Sequence, residues 1–142
     1  MTLRKTWPSA AFLALTLLGS GCGPSGPSVV RVTGTVTRHG EPVNMLVVNF
    51  LPESGRPSWG VTDKDGHYTL NYERGRDGAI TGAHKVWVEF KPSSPKIEAE
   101  YHNGTLKLHR DLQTILGKYG KQTSPLVEEV KEDNQVIDLH LD

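Results

Sequence analysis

The run "VRVTGTVT", residues 30–37, constrains the fold more than any other stretch. Val30, Val32, Gly34 and Val36 alternate with Arg31, Thr33, Thr35 and Thr37. Successive strand side chains point to opposite faces, so a period of two in β-branched residues makes a half-buried strand. A helix would scatter the same valines around its circumference. "VNMLVVNFLP", residues 43–52, carries apolar residues on both parities and reads as a central strand with both faces partly covered. "SWGVTD", "HYTLNY", "KVWVEF", "PLVEEVKE" and "QVIDLHL" are further candidates; in "KVWVEF", Val86 and Val88 stand against Trp87 and Phe90. "GEP" at 40–42, the glycine-rich "GRDGAITGAH" and "EDN" supply turns between them. About seven short strands with turns at even intervals predict a mainly β, two-sheet sandwich of the immunoglobulin-like kind.

One segment departs from period two. Residues 105–119, "TLKLHRDLQTILGKY", place Leu108, Leu112, Ile115, Leu116 and Tyr119 at helical spacing. This predicts one short amphipathic helix near 106–119, lying over a sheet or an open edge, with Thr105 or Asn103 as its cap.

The N-terminus reads as an export signal. Arg4 and Lys5 precede the apolar run Ala10–Leu18, and the small residues Gly19, Ser20 and Gly21 lead to Cys22, the single cysteine. The apolar run falls short of the ~20 residues of a membrane span. "LLGSGC" resembles the lipobox of bacterial lipoproteins, with Leu18 one place further from the cysteine than the family's usual leucine. That resemblance implies cleavage after Gly21 and acylation of Cys22. A lone cysteine closes no internal disulfide, whereas each buried acyl methylene adds about 0.8 kcal/mol of membrane affinity. The expected division is a signal peptide at 1–21, the lipid-bearing cysteine and a flexible Gly/Pro/Ser linker at 22–28, and one folded domain at 29–142. Of 16 basic side chains, loss of Arg4 and Lys5 leaves 14 against 16 acidic ones. With no basic excess, nucleic acid is not an expected partner. The expected location is the bacterial cell envelope, on the periplasmic side or the outer surface, with the membrane as partner through the lipid.

"TDKDGHYTL", residues 62–70, sets Asp63 and Asp65 two apart and follows them with Gly66, as a calcium loop does. A helix–loop–helix calcium site needs a bidentate glutamate at its twelfth position. Counted from Asp63, that position is Arg74, a cation, and the flanks read as strands. The alternative is a hairpin turn, in which Asp63 and Asp65 bond backbone groups and Gly66 takes a positive φ. The turn is the reading adopted, and no metal or other cofactor is expected.

"VTGTVTRHGEPVNMLVVNFLP", "GVTDKDGHYTL" and "GAITGAHKVWV" together resemble the carboxypeptidase regulatory-like domain, a transthyretin-like β-sandwich. "KYGKQTSPLVEEVKEDNQVIDLHL" is similar to the tail of small bacterial lipoproteins that carry it. The resemblance covers residues 30–141. It rests on Gly34, on Gly40-Glu41-Pro42, on Thr62-Asp63, Asp65-Gly66 and Tyr68, on Gly82, and on Lys118-Tyr119 with Ser124-Pro125-Leu126. It implies a non-catalytic accessory module, since none of these positions is catalytic in that family.

Other chemistry leaves no pattern. His39, His67, His84, His102, His109 and His140 form no His-x-x-x-His pair and no HExxH. No Gly-x-Ser-x-Gly marks a nucleophilic serine. Trp59, Tyr68, Tyr72, Trp87 and Tyr101 could stack on sugar rings or fill a core. Trp59, next to the loop "GRPS", is the one expected at the surface and the candidate ligand contact. The expected task is structural, or the binding of a protein or glycan. The rivals are a small-ligand or carbohydrate-binding envelope protein and an accessory subunit of an envelope enzyme.

Overall fold

The computed structural model describes residues 26–142; the expected signal peptide and Cys22 lie outside them. The described residues are mainly β with two helices. Its first half forms β1 (Val29–Val30), β2 (Val32–Arg38), β3 (Glu41–Pro42), β4 (Leu46–Pro52), β5 (Ser58–Val61), β6 (His67–Thr69) and β7 (Asn71–Glu73). Then come β8 (Arg76–Asp77), β9 (Ala79–Ile80), β10 (Gly82–Phe90), α1 (Pro95–His102), α2 (Arg110–Tyr119), β11 (Val127–Val130), β12 (Gln135–Val136) and β13 (Leu139–His140).

The larger sheet runs β11-β10-β4-β5-β7-β8, every pair antiparallel. The other sheet is built on β2. Its antiparallel neighbours β3 and β6 lie along one edge, and β12 and β13 lie parallel along the other. β1 and β9 make a separate short ladder. As the alternation requires, Val32 and Val36 of β2 are buried while Thr33, Thr35 and Thr37 face outward, half-buried. Opposite them Leu46, Val48 and Phe50 of β4 and Val86 and Val88 of β10 complete the core, with Leu70, Ile137, Leu139 and Leu141. Burial of each such side chain contributes about 1.5–3 kcal/mol.

β4 lies centrally, between β10 and β5, but its two faces differ. Leu46, Val48, Phe50 and Pro52 are buried, and Val47, Asn49 and Leu51 are half-buried. In β10, Phe90 sits on the parity of Val86 and Val88 rather than with Trp87. Trp87 is the buried residue of the opposite face of β10, lying under Lys121, whose Nζ stands 5.7 Å from the ring centroid.

Two expectations need correction. The predicted helix is one of two. Residues 105–109 precede α2 rather than belong to it. The cap is His109, whose Nδ1 accepts from the Asp111 amide at 3.4 Å; Asn103 instead ends α1. α1 begins at Ser94, whose hydroxyl accepts from the Ile97 amide at 3.3 Å, with Pro95 just inside. It buries no residue, though Tyr101 meets Phe90 with ring centroids 5.0 Å apart. α2 drives Ile115 and Tyr119 into the core. Second, the segments flanking the Asp63–Gly66 turn do not pair with each other. β5 pairs within the larger sheet and β6 with β2. The turn is a corner between layers, and the strip from His67 to Glu73 changes sheet at Leu70, whose amide bonds Val32 O at 3.0 Å just before Asn71 pairs with Trp59. Strands that bend from one layer to the other in this way form the corners of a sandwich.

Candidate functional site

The corner is held by one carboxylate. Asp63 Oδ1 accepts from the amides of Asp65 at 2.9 Å and His67 at 3.0 Å, while Asp63 O accepts from Gly66 N at 3.0 Å. Asp65 has a different part. Its carboxylate lies 3.6 Å from Lys64 Nζ, exposed, and bonds no described backbone amide. Gly66 has φ +75°, and a Cβ there would meet Val36 O at 2.6 Å. The position therefore excludes a side chain twice, by backbone region and by contact. Among the described residues, no three of His, Cys, Asp and Glu converge as a metal would need.

Trp59 is 48% exposed, and it stands on a strand rather than at a loop end. In register across the outer face of the larger sheet lie Trp87, Asn49, Trp59 and Asn71. Asn71 Nδ2 donates to Thr69 O at 3.2 Å, which turns the amide and leaves its Oδ1 without a partner among the described residues. Asn49 Nδ2 reaches Val47 O at 3.4 Å. Of the other aromatic candidates, Tyr68, Tyr72 and Trp87 are buried and Tyr101 is at the edge of exposure.

Because the strip 67–73 passes from one sheet to the other, the outer faces of both sheets meet along it. A cleft of about 370 Å³ brings together Trp59, Asp63, Thr69 and Asn71. A second, of about 420 Å³, adjoins it and adds Thr33, Thr35, Val136 and Asp138. The two share His67, Tyr68 and Thr69, so they adjoin along that strip and together make the corner groove. The fold thus joins Asp63 and Trp59, which the sequence offered separately, and leaves Asp65 and Gly66 outside the groove. It adds Asp138, which no motif marked and which comes from the opposite end of the domain.

Hydrogen bonds tie the groove floor together. Thr35 Oγ1 bonds His67 Nδ1 at 2.9 Å, and Asp138 Oδ1 accepts from the Thr35 amide at 2.8 Å. Beneath, the Tyr68 hydroxyl donates to Ile137 O. Burial, then the carboxylates of Glu128 and Asp138, push the Tyr68 phenol far above its ordinary range, so it is a neutral donor.

Two further polar groups face each other across β10 and β11, one buried and one half-buried. His84 is buried, its Nδ1–H donating to Gly82 O at 2.9 Å, and its Nε2 has no described partner. Burial holds the imidazole below its ordinary pKa, hence neutral. Glu128, its cross-strand partner, is pushed upward by desolvation. Another cleft lies between Arg38 and α2, where Arg38 Nη1 donates to Leu141 O at 3.0 Å, while Nε, 3.8 Å from Asp111 Oδ1, is buried with no hydrogen-bond partner among the described residues.

Comparison of the chain with protein-family models, with curated proteins and with solved structures finds no match.

Proposed function

We propose that this chain is a non-catalytic, lipid-anchored β-sandwich module of the bacterial cell envelope, held to a membrane through Cys22 and presenting an outer sheet face to a protein or glycan partner. Trp59 is the observation that carries the binding role. An indole that belongs to no core, centred on a sheet between Asn49 and Asn71, leaves about half its surface open as a contact surface. The anchoring role rests on the basic start, the apolar run and the lone cysteine. From Cys22 to Val29 the chain reaches roughly 25 Å at full extension, which would keep the domain close to the bilayer surface. The resemblance to the carboxypeptidase regulatory-like domain supports an accessory role rather than catalysis. So does Asp63, whose bonded oxygen is committed to two backbone amides.

The test has two parts. Intact mass of the membrane-extracted protein should show an acylated Cys22 as first residue, and Cys22→Ser should leave the protein unacylated and released or unprocessed. A mass without lipid removes the anchoring role. A photo-crosslinker placed at position 59 should capture a defined neighbour in cells that one placed at the exposed Lys64 does not. Hydrolase turnover by the purified protein, abolished by one point change, would overturn the non-catalytic reading.

A further inference from the structure

We infer that the corner groove binds a neutral oligosaccharide, with one sugar ring stacked on Trp59 and the chain continuing across Thr69 toward Asp138. This rests on the reading of the module as a binding protein and names the class of its ligand. Three observations select that class.

The first is shape. The two adjoining clefts share His67, Tyr68 and Thr69, so the groove is elongated and shallow and suits a chain of rings. The second is the aromatic surface. Trp59 offers an exposed indole at one end, and indole faces pack against the C–H face of a sugar while its hydroxyls point outward.

The third is the set of unused polar atoms. Asp63 and Asp138 each commit Oδ1 to backbone amides, and Oδ2 of each has no described partner. His67 commits Nδ1 to Thr35 and keeps Nε2, and Asn71 commits Nδ2 and keeps Oδ1. Acceptors therefore predominate along the groove, as a polyol rich in hydroxyl donors requires. Two carboxylates with no arginine or lysine lining either cleft oppose an anionic glycan. An extended peptide would need a free strand edge; β2 is paired on both sides, and on the outer side of β6 Asp63 takes the amide and carbonyl of His67 while Asn71 Nδ2 takes Thr69 O. The atoms are fixed before a ligand arrives, because each is held by a bond to the backbone or to Thr35; this limits the ordering cost of binding.

The test uses the full mature chain, extracted in a zwitterionic detergent that carries no sugar. Four neutral hexasaccharides are titrated calorimetrically: β-1,4-linked glucose, β-1,4-linked N-acetylglucosamine, α-1,4-linked glucose and α-1,6-linked mannose. At least one should bind saturably. Trp59→Ala should weaken it tenfold or more, Trp59→Phe should retain most of the affinity, and Asn71→Ala should weaken it several-fold. Trp59 is exposed, so the unfolding midpoints of its variants should stay near the parent's, which separates lost binding from lost fold. Absence of binding by all four sugars at millimolar concentration in a lipidated, folded sample would overturn the proposal while leaving the anchored module standing. Equal binding by Trp59→Ala, or saturable binding of an extended peptide with no sugar bound, would also overturn it.

Discussion

The Tyr68 hydroxyl donates a 2.6 Å hydrogen bond to the carbonyl of Ile137, tying the strip that changes sheets to the strand segment that lies parallel to β2. Phe50 packs against the same ring, with centroids 6.3 Å apart. Tyr68→Phe keeps the ring and removes the donor. The expected cost is about 1–3 kcal/mol, because a buried acceptor loses its partner; urea unfolding measures it.

The same phenol predicts a pH dependence. Its folded pKa lies above its ordinary value near 10.0. Unfolded chains thus release this proton first, and the stability it contributes is fully present below pH 10 and is lost as pH rises beyond it. The slope approaches about 1.4 kcal/mol per pH unit. Unfolding midpoints from pH 9 to 11.5 should fall more steeply for the parent than for Tyr68→Phe.

His84 acts at the other end of the scale. Its folded pKa lies below the ordinary 6.5, so the unfolded chain takes up a proton first as pH falls. Its contribution is present above pH 6.5 and is lost as pH drops through the folded value. Glu128, raised, has the opposite sign: its contribution is full below its ordinary 4.5 and is lost as pH rises. The two oppose each other between those values, so the quantity to measure is the difference between the parent and His84→Gln from pH 4 to 7.5. The parent should lose stability toward acid more steeply than His84→Gln, so its advantage over the variant should shrink as pH falls.

The two aspartates of the corner should separate on mutation. Asp63→Ala removes the acceptor of two amides and should cost about 1–2 kcal/mol. Asp65→Ala should stay within about 0.5 kcal/mol of the parent, as exposed substitutions do. Thermal unfolding of both variants decides it; equal effects would dismiss the Asp63 turn as the anchor of the corner.

Glycines should be costly where the backbone passes close. Gly66→Val places a side chain at φ +75° and against Val36 O, for a loss of about 1–3 kcal/mol or more. Gly34→Ala has a harder collision, since its Cβ would fall 1.8 Å from Ile137 O, so the strand beyond must shift. Loss of cooperative unfolding or a lowered midpoint is the expected result for both.

These residues also show where sequence reasoning succeeds and where it stops. The valines of β2 announce their faces because one strand's alternation is local, and Asp63-Lys64-Asp65-Gly66 announces a turn because turn chemistry is local too. Nothing in "HYTLNY" marks Leu70 as the point of exchange between sheets, since the strip alternates without a break. The exchange is decided by which partner, β2 or β5, each half meets. α1 leaves little periodicity in the sequence because its surface is polar and unburied, and Ser94-Pro95 is the start signal it does carry. Trp59 was legible as exposed but not as the centre of a sheet. Asp138 could not be joined to Asp63 at all, because only pairing across the whole domain brings them to one groove.

The parallel ladder between β2 and the segment holding Leu139 and His140 has a consequence for how the chain acquires its shape. Thr37 and His140 share a hydrogen bond across 103 positions, and loop closure on that scale precedes any reward from the contact. The β2 layer must wait until the distal segment emerges from whatever machinery delivers it. Such non-local wiring slows folding relative to locally wired chains, so that edge of β2 stays unpaired until the last residues of the domain arrive.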